Sequence, residues 1–467
     1  MKILLLSPPQ QNIYGRFGPP YAPLGLLHIG ACLRAAVHDV EFLDMALYPG
    51  EFRARLKSFR PEMVCITSVT PTFPSALEIA RVVKSESSAH VVFGGPHVSI
   101  LPEEPLKTGK VDFVVVGEGE ETIVELAQAI RGGDPCQVNG LCMRSNGETF
   151  LTGRRRPVEK LDSLPFPDWT LVRHIGAYAP PEAHSRRVFT IMTSRGCPFD
   201  CSFCVSSKLF GKKIRRRSVQ NVLAEMVSLV RNQEAAEIHF ADDCFTSNKK
   251  WVLDFCDAVK REKLRINLSF MNGLRADEVD EEVLAALKNA GVRTVGFGVE
   301  TGNKSLMEKS GKRLSLDAVE KAFEISRKMG LNTWGFFIIG FPKETREQAL
   351  ATFALARRLD PDFAKFFPLV PYPGSEVFEE MEDAGLLGCH DWASYGLYSG
   401  YVPTLSQMSS TEVADLVRTF YKKFYLRPRK FFLRLLRVRS VVELWLNLRM
   451  ALFLGRRFAG RGVSHTV

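Results

Sequence analysis

The chain has 467 residues, of which 45% are apolar and 24% are charged. At about 150 residues per domain, this length predicts roughly three units, each able to bury a core. The net charge of +10 is concentrated near the C-terminal end, where thirteen Lys and Arg but only one acid lie between Arg418 and Arg461. The rest of the chain is close to neutral, so the overall charge gives no reason to infer a general affinity of the body for nucleic acid. The ten cysteines are scattered except for one group of three, so they do not indicate a disulfide framework.

Residues 1–135 alternate between buried strands and helical segments. Strands are predicted at 2–7, 40–43, 63–68, 90–93 and 112–116. Because each is followed by a helical segment, the pattern predicts a parallel, doubly wound α/β sheet. Ligands of such sheets bind at the carboxyl ends of the strands. No signal peptide is recognised at the start, because Pro8 and Pro9 end the first apolar run, so the predicted location is the cytoplasm.

The predicted strand ends are rich in glycine and small hydroxyl side chains. The segments Ser68-Val-Thr70, Gly94-Gly-Pro-His97 and Gly117-Glu-Gly-Glu120 together resemble the cobalamin-binding (Rossmann-like) domain that precedes radical S-adenosylmethionine (radical SAM) domains. The resemblance implies cobalamin contacts from eight residues: Ser68, Thr70, Gly94, Gly95, His97, Gly117, Glu118 and Gly119. No histidine has the D-x-H-x-x-G context of a cobalt ligand, so a histidine lower ligand is not expected. Two alternatives stay open: His97 could be only a turn residue, and the domain could be an emptied relic.

Residues 136–185 are predicted to be a linker. An Asn-Gly turn at Asn146-Gly147 predicts a small hairpin. Beyond it, the density of proline from Pro157 to Pro167 favours an extended segment that packs along a surface.

Three cysteines with C-x3-C-x2-C spacing follow a predicted strand: Cys197, Cys201 and Cys204. Thiolates at short fixed spacings suit iron–sulfur clusters, and three ligands on a four-iron cluster would leave one iron open. Zinc with a nearby histidine is the competing interpretation, but the nearest histidine is His184. The spacing resembles the signature of the radical SAM superfamily, whose open iron binds the amino and carboxylate groups of S-adenosylmethionine. By that resemblance, Phe203 lies beside the adenine.

Residues 186–388 repeat a strand–helix unit about six times. Strands are predicted at 188–193, 237–240, 267–271, 294–299, 333–339 and 363–368. Repeated βα units of this size favour a parallel partial (β/α)6 barrel, with its chemistry at the C-terminal ends of the strands. The cysteine loop follows the first of these strands, so fold and site agree.

The other strand ends also resemble radical SAM sequence blocks, including Gly298-x-Glu300-x-Gly302 and Ile339-Gly340-x-Pro342. The resemblance implies S-adenosylmethionine contacts from Phe203, Asp243, Gly298, Glu300, Ile339 and Gly340. The second strand departs from the family pattern, because Ala241-Asp242-Asp243 replaces a G-G-E-type turn. Glu300 could instead be a buried acid paired with Arg275 or Lys304. Asp242 and Asp243 could instead cap the next helix.

Residues 389–467 are predicted to form a helical C-terminal region with a basic amphipathic tail. A helix is predicted at 410–426, capped by Ser410 or Thr411. The tail at 429–454 alternates basic and apolar residues, and its uncharged runs are too short to span a bilayer. It could lie on an anionic membrane surface, pack on the barrel, or contact RNA. Cys389, His390 and Asp391 are interpreted as a turn.

The resemblance covers about residues 1–400 and implies a cobalamin-dependent radical SAM enzyme with a [4Fe-4S] cluster, S-adenosylmethionine and cobalamin. By family analogy, a 5′-deoxyadenosyl radical abstracts hydrogen from an unactivated carbon and methylcobalamin supplies the methyl group. The predicted reaction is C-methylation of an apolar small molecule such as a lipid or a tetrapyrrole, with flavodoxin or ferredoxin as reductant and no nucleic-acid partner.

Two alternatives remain open. The first is a radical cyclase or oxidase that uses the same cofactors. The second is a non-enzymatic cobalamin sensor, which would not need the three cysteines. A tRNA methylthiolase is disfavoured, because Cys32, Cys65, Cys136 and Cys142 are too dispersed for a second cluster.

Overall fold

The computed structural model describes residues 1–9, 19–145, 147–178, 180, 183–387, 391–396 and 403–427. Two large sheets organise these residues, one of seven strands and one of six. A small two-stranded sheet follows the first strand of the six-stranded sheet in the chain and supports the cysteine loop.

The first sheet has the strand order β2-β1-β3-β4-β5-β6-β7. Its first five strands pair in parallel, as predicted, and the last two join antiparallel. The seven strands are β1 (Lys2–Ser7), β2 (Asp39–Asp44), β3 (Met63–Thr67), β4 (His90–Gly94), β5 (Phe113–Val115), β6 (Leu141–Ser145) and β7 (Glu148–Leu151). The order reverses between β1 and β3, so a ligand crevice is expected at their carboxyl ends.

Among the described residues, five helices cover the two faces of this sheet. They are α1 (Leu24–Ala35), α2 (Phe52–Phe59), α3 (Phe73–Glu86), α4 (Pro96–Ile100) and α5 (Glu120–Gly132). The strands are apolar on both faces, because Ile3 and Leu5 enter one core while Leu4 and Leu6 enter another. The core that contains Leu5 continues into the second domain through Trp169 and Phe189, whose ring centroids are 4.8 Å apart.

The hairpin predicted within the linker is present as β6 and β7, but it extends the first sheet to Leu151. The following segment is extended and broken by single helical turns, in keeping with its prolines. It packs tightly on α1: a Cβ on Gly30 would lie 2.4 Å from Leu171 Cδ1. Arg34 Nη1 also donates to Asp168 Oδ2 at 2.6 Å. The linker therefore fixes the first domain against the second.

The second sheet is the predicted six-stranded parallel partial barrel, with the order β15-β14-β13-β12-β11-β8. Its strands are β8 (Val188–Ile191), β11 (Glu237–Phe240), β12 (Asn267–Leu274), β13 (Val292–Glu300), β14 (Asn332–Ile339) and β15 (Phe363–Pro368). The small sheet pairs β9 (Ser194–Arg195) with β10 (Arg215–Arg216). The helices are α6 (Ser206–Phe210), α7 (Val219–Gln233), α8 (Lys249–Glu262), α9 (Glu281–Asn289), α10 (Lys304–Lys309), α11 (Leu316–Lys328), α12 (Arg346–Leu359) and α13 (Glu376–Asp383).

The helix predicted in the C-terminal region is α14 (Ser410–Tyr425). Its N-cap is Ser409 rather than the predicted Ser410 or Thr411, and Glu412 completes a capping box. The helix packs on β15, the edge strand of the barrel, where Phe420 and Phe366 have centroids 5.7 Å apart. Helix and barrel thus share one core.

Within the described part of the chain, no helix is long and apolar enough to cross a membrane. The basic tail at 428–467 lies outside the described residues, as do Cys389 and His390. The predictions of membrane contact and of a turn at 389–391 therefore stay predictions.

Candidate active site at the strand ends of the barrel

The cysteine loop leaves the carboxyl end of β8 and is held at its base by β9 and β10. Gly196 has a φ of 104°, and a Cβ there would lie 2.3 Å from the carbonyl oxygen of Lys213, so glycine is required. The amide of Cys197 donates to the Gly211 carbonyl at 3.1 Å, and the amide of Ser202 donates to the Ser310 carbonyl at 2.9 Å. The three cysteines therefore lie on a firmly anchored loop at the predicted mouth of the barrel.

Asp242 fixes the start of this loop. Its carboxylate accepts hydrogen bonds from the Thr193 amide at 3.0 Å and from the Thr193 and Ser194 hydroxyls, each at 2.6 Å. Burial raises the pKa of Asp242, although these donors act in the opposite direction. The alternative prediction that Asp242 and Asp243 cap the next helix is wrong, because Asn248 accepts the capping hydrogen bond of α8.

The three cysteine thiols differ in acidity. The buried thiol of Cys244 donates a hydrogen bond to Cys197 Sγ at 3.5 Å. This hydrogen bond lowers the pKa of Cys197 to about 7, although burial of Cys197 acts in the opposite direction. Burial raises the pKa of Cys201 to about 12 and also raises that of Cys204. Among the described residues, no three Cys, His, Asp or Glu side chains converge on a common point for a metal ion. The donor chemistry nevertheless fits a cluster held by three thiolates, since the thiols share one anchored loop.

Two cationic side chains lie beside the cysteine loop. The Arg275 guanidinium stacks 3.7 Å from the ring centroid of Phe199, and its Nη1 donates to the Lys312 carbonyl at 3.2 Å. The Lys312 ammonium forms a buried ion pair with Glu300. Arg275 also pairs with Asp277 at 2.8 Å, so each of the two cations has a carboxylate partner within the protein.

Glu300 is paired with Lys312, so the alternative pairing with Arg275 or Lys304 is wrong. Its backbone is left-handed, with a φ of 61°, at the end of β13. A Cβ on Gly298 would lie 2.5 Å from both Glu300 Oε1 and Lys312 Nζ, so this ion pair lies directly against the backbone of β13. Such strained backbone is common at ligand sites.

Phe203 contacts the loop that follows β14. Its ring centroid lies 5.7 Å from that of Phe341 in an edge-to-face arrangement. The structure therefore places Phe203 next to the Ile339-Gly340 turn, and the resemblance assigns both to S-adenosylmethionine. Asp243, which the resemblance also assigns to S-adenosylmethionine, accepts a hydrogen bond from Asn272 at 3.3 Å.

Sequence reasoning missed Glu344. Its carboxylate accepts hydrogen bonds from the amides of Gly340 and Phe341, the latter at 3.1 Å, and so shapes the Ile339-Gly340 turn. Burial raises the pKa of Glu344 to about 7. The only signal in the sequence was an acid two positions after Pro342, which by itself indicates no burial.

The inner face of the barrel carries a defined aromatic group, which we call the lumen cluster: Trp334, Phe336, Phe363 and Lys365. Trp334 and Phe363 stack with centroids 4.3 Å apart, and Lys365 Nζ lies 4.6 Å from the Trp334 centroid. A Cβ on Gly296 would lie 2.8 Å from Phe336, so this glycine makes room for the ring. The alternate residues Phe337 and Phe366 face outward into the core beneath the helices.

Polar side chains close the amino-terminal end of the barrel. Glu237 Oε1 and His239 Nε2 are 2.7 Å apart, and His239 Nδ1 lies 2.8 Å from the hydroxyl of Tyr21. The Glu237 carboxylate also accepts from the amide of His184 at 2.7 Å. The inner face of the barrel is therefore polar at its amino-terminal end and aromatic further along β14 and β15.

The carboxyl edge of the first sheet offers donors that are not satisfied within the protein. Among the described residues, the buried hydroxyls of Ser7 and Ser68 have no hydrogen-bond partner. Gly95 has a φ of 103°, and a Cβ there would lie 2.8 Å from the Ser68 carbonyl oxygen, whereas a Cβ on Gly117 would meet nothing within 4 Å. Unsatisfied buried hydroxyls beside open glycine backbone fit a large polar ligand such as cobalamin.

Three of the residues predicted to contact cobalamin, Thr70, His97 and Glu118, have side-chain partners within the protein. His97 is fully buried, with Nδ1 at 3.2 Å from Thr70 Oγ1 and its ring 5.1 Å from that of Trp392. This burial favours the alternative prediction, in which His97 is not a ligand contact, although its partners are the Thr70 and Trp392 side chains and not the backbone of a turn. Thr70 takes part in the same contact.

Glu118 belongs to a buried ion-pair network between the two domains. Its carboxylate pairs with Arg215 and Arg195 and accepts from the Val158 amide at 2.9 Å. Arg195 also pairs with Glu120 at 2.5 Å. Because Arg195 is two residues before Cys197, the network connects the Gly117–Glu120 loop directly to the cysteine loop. Beside it, burial and the charge of Arg195 lower the pKa of His28 to about 4.

Two protein-family models match the chain, one in each of the two domains. The B12 binding domain model matches residues 13–127, and the Radical SAM superfamily model matches residues 191–356. The first range includes β2 to β5 of the first sheet, and the second includes β11 to β14 of the barrel, whereas β1, β6, β7 and β15 lie outside both.

Similar proteins extend along nearly the whole chain. An uncharacterised methyltransferase of Pyrococcus horikoshii is 36% identical over 92% of this chain and 93% of its own length. The anaerobic magnesium-protoporphyrin IX monomethyl ester cyclase of Rubrivivax gelatinosus is 26% identical over 91% of this chain and 78% of its own. The structure of the radical SAM methyltransferase TsrM from Kitasatospora setae, with tryptophan and a SAM analogue bound, has a TM-score of 0.71 at 21% identity, covering 92% and 90% of the two chains.

The fold and the cysteine loop define a radical SAM enzyme. The chain belongs to the family of cobalamin-dependent radical SAM enzymes, in which a B12-binding domain precedes the radical SAM domain, and which includes methyltransferases. The predicted fold class, enzyme class and family are thereby confirmed.

Proposed function

We propose that the protein methylates an unactivated carbon of an apolar, ring-containing small molecule such as a tetrapyrrole, or of a lipid. The observation that carries this proposal is the lumen cluster on the inner face of β14 and β15, where Phe336, Phe363 and Lys365 are partly exposed and Trp334 is 1% exposed. Stacked aromatic side chains favour flat or apolar ligands. The names of two similar proteins refer to π-rich small molecules, a magnesium protoporphyrin ester and tryptophan.

The cofactors would be held by the residue groups described above. Cys197, Cys201 and Cys204 would bind the cluster. S-adenosylmethionine would lie among Phe203, Asp243, Gly298, Glu300, Ile339 and Gly340. Cobalamin would lie against Ser68, Gly94, Gly95, Gly117 and Gly119, while Thr70, His97 and Glu118 would support these loops from behind. When bound, the cofactors supply a carbon-centred radical from S-adenosylmethionine and a methyl group from cobalamin.

The chain's own part is positioning and exclusion of water. Lys312 and Arg275 would stabilise anionic groups near the cysteine loop, and Glu300 would hold Lys312 in place. Asp242 and Glu344 would keep the two ligand turns in their conformations. The hydrogen-bonded side chains of Glu237, His239 and Tyr21 would close the amino-terminal end of the barrel. A one-electron donor of the flavodoxin or ferredoxin type would reduce the cluster.

The test begins with anaerobic purification, reconstitution, and iron, sulfide and corrinoid analysis of one sample. We expect about four irons and one cobalamin per chain. The reconstituted protein, with reductant and S-adenosylmethionine carrying a trideuterated methyl group, is then incubated with separate lipid and tetrapyrrole fractions. A product in which the labelled methyl group replaces hydrogen is expected from wild type and from Cys256→Ala, but not from Cys204→Ala.

Other outcomes contradict the proposal. A full cluster with no corrinoid, even after hydroxocobalamin is added, would exclude methyl transfer by this route. Label found only on water-soluble peptides or nucleotides would exclude the substrate class. A product that loses hydrogen and gains no label would favour the second candidate, a radical cyclase, which the similarity to the magnesium-protoporphyrin cyclase supports.

A further inference from the structure

Cys244 lies outside the C-x3-C-x2-C motif yet contacts it directly. It follows Asp242 and Asp243 at the carboxyl end of β11, and only 3% of its surface is exposed. Its Sγ donates to Cys197 Sγ at 3.5 Å, although 47 residues separate the two. Nothing in the family signature predicts a sulfur at this place.

The position of Cys244 is fixed by its backbone rather than by the thiol contact. Its carbonyl oxygen accepts hydrogen bonds from Arg216 Nη2 and from the Ser247 hydroxyl, both at 2.9 Å. Arg216 belongs to β10, which also anchors the cysteine loop through β9. The next residue, Phe245, is buried against Phe270 with centroids 4.5 Å apart. The thiol is therefore held toward Cys197 by two independent anchors.

We propose that Cys244 is a positioning residue whose S–H donates a hydrogen bond to the Cys197 sulfur and makes the bound cluster easier to reduce. The inference rests on the proposed function, in which Cys197 is a cluster ligand. Reduction adds negative charge to the cluster and its thiolates, and a donor to a ligand sulfur stabilises that charge. Hydrogen bonds to the sulfurs are one of the main determinants of cluster potential.

The experiment is an anaerobic redox titration of the reconstituted full chain, followed by electron paramagnetic resonance. Cys244→Ala removes the donor, Cys244→Ser keeps a hydroxyl donor, and Cys256→Ala is the matched control. Cys256 is equally buried, at 3% exposure, but lies in α8 away from the loop. We expect a more negative midpoint potential for Cys244→Ala, a smaller shift for Cys244→Ser, and the wild-type value for Cys256→Ala, with equal iron content in all four proteins.

A second readout reports on the hydrogen bond itself. Exchange of the thiol proton in D2O should shift the iron–sulfur stretching bands in the resonance Raman spectrum of wild type more than those of Cys244→Ala. Cys244→Ser also covers the case in which the alanine variant fails to fold.

Three outcomes would overturn the inference. An unchanged potential in Cys244→Ala would show that the thiol does not influence the cluster. Iron content as low as that of Cys204→Ala would make Cys244 a ligand instead of a donor. A wild-type protein that binds no cluster would contradict the proposed function as well, so the two failures are distinguishable.

Discussion

At the scale of single residues, the candidate site depends on buried acids whose charge is controlled by their surroundings. Asp242 organises the cysteine loop through three donors, and Glu344 organises the turn after β14 through two backbone amides. Both carboxyl groups have raised pKa values, because burial disfavours the ionised form. Their protonation therefore couples the local structure of the site to pH.

Glu344 gives a pH-dependent prediction. Its pKa rises from 4.5 to about 7 on folding, so the folded protein binds the proton more tightly than the unfolded chain. The stability that this provides is complete below about pH 4.5 and is lost as the pH rises through 7. The loss is on the order of 3 kcal/mol. Glu344→Gln should remove this part of the slope in the unfolding free energy, measured in denaturant from pH 4.5 to 8.

The matched control is Glu347→Gln, because Glu347 lies exposed three residues further on, in the first turn of α12. Glu347→Gln should leave the fall of the unfolding free energy between pH 4.5 and 8 unchanged. An identical pH dependence in wild type and Glu344→Gln would contradict the assignment of this slope to Glu344.

At the scale of elements, α14 protects the open edge of the partial barrel. The Tyr421 hydroxyl accepts from the Phe366 amide at 3.2 Å, and the Tyr425 hydroxyl accepts from the Ala364 amide at 3.0 Å. Tyr425 also donates to the Ala364 carbonyl at 2.9 Å. An edge strand presents unpaired backbone groups that could pair with another chain, and these hydroxyls satisfy them.

Removal of these hydroxyls should loosen the edge strand. Tyr421→Phe and Tyr425→Phe should each lower the free energy of unfolding by about 1 kcal/mol, because a backbone group loses its partner. Amide hydrogen exchange at Ala364 and Phe366 should become faster, whereas exchange in β12 should not change. Lys423→Ala, an exposed change on the same helix, is the control. Unaltered exchange at both amides in the Tyr421→Phe/Tyr425→Phe double variant would show that α14 does not protect the edge.

At the scale of the whole molecule, a buried charged network joins the two domains beside the cysteine loop. Arg195, Arg215, Glu118 and Glu120 all have side chains that are at most 8% exposed. They connect the Gly117–Glu120 loop of the first sheet to the base of the cysteine loop. A rigid joint at this point would fix the distance between the cobalamin and S-adenosylmethionine sites.

Breaking this joint should be costly. Arg195→Met leaves Glu120 and part of Glu118 buried without their cation, and loss of one partner of a buried pair costs about 3–5 kcal/mol. The unfolding free energy in denaturant should fall by that amount, and iron content after reconstitution should fall as well. Lys213→Met is the control, since Lys213 pairs with Glu159 at the surface of the neighbouring loop. Equal unfolding midpoints for the two variants would contradict a joining role for the network.

The sequence by itself determined the order of strands and helices, the cysteine loop and the glycines at the strand ends. These features depend on neighbouring residues: apolar runs mark buried strands, and the spacing of Cys197, Cys201 and Cys204 defines a ligand loop. Only the tertiary structure decided that β6 and β7 extend the first sheet, that Glu300 pairs with Lys312, and that Glu118 faces Arg195 and Arg215. It also brought Cys244 to Cys197 and buried Glu344. Such contacts join segments that are distant in the chain. The physical reason is that a charged or thiol side chain pairs with whichever partner the folded backbone places within reach, and the sequence alone does not show that partner.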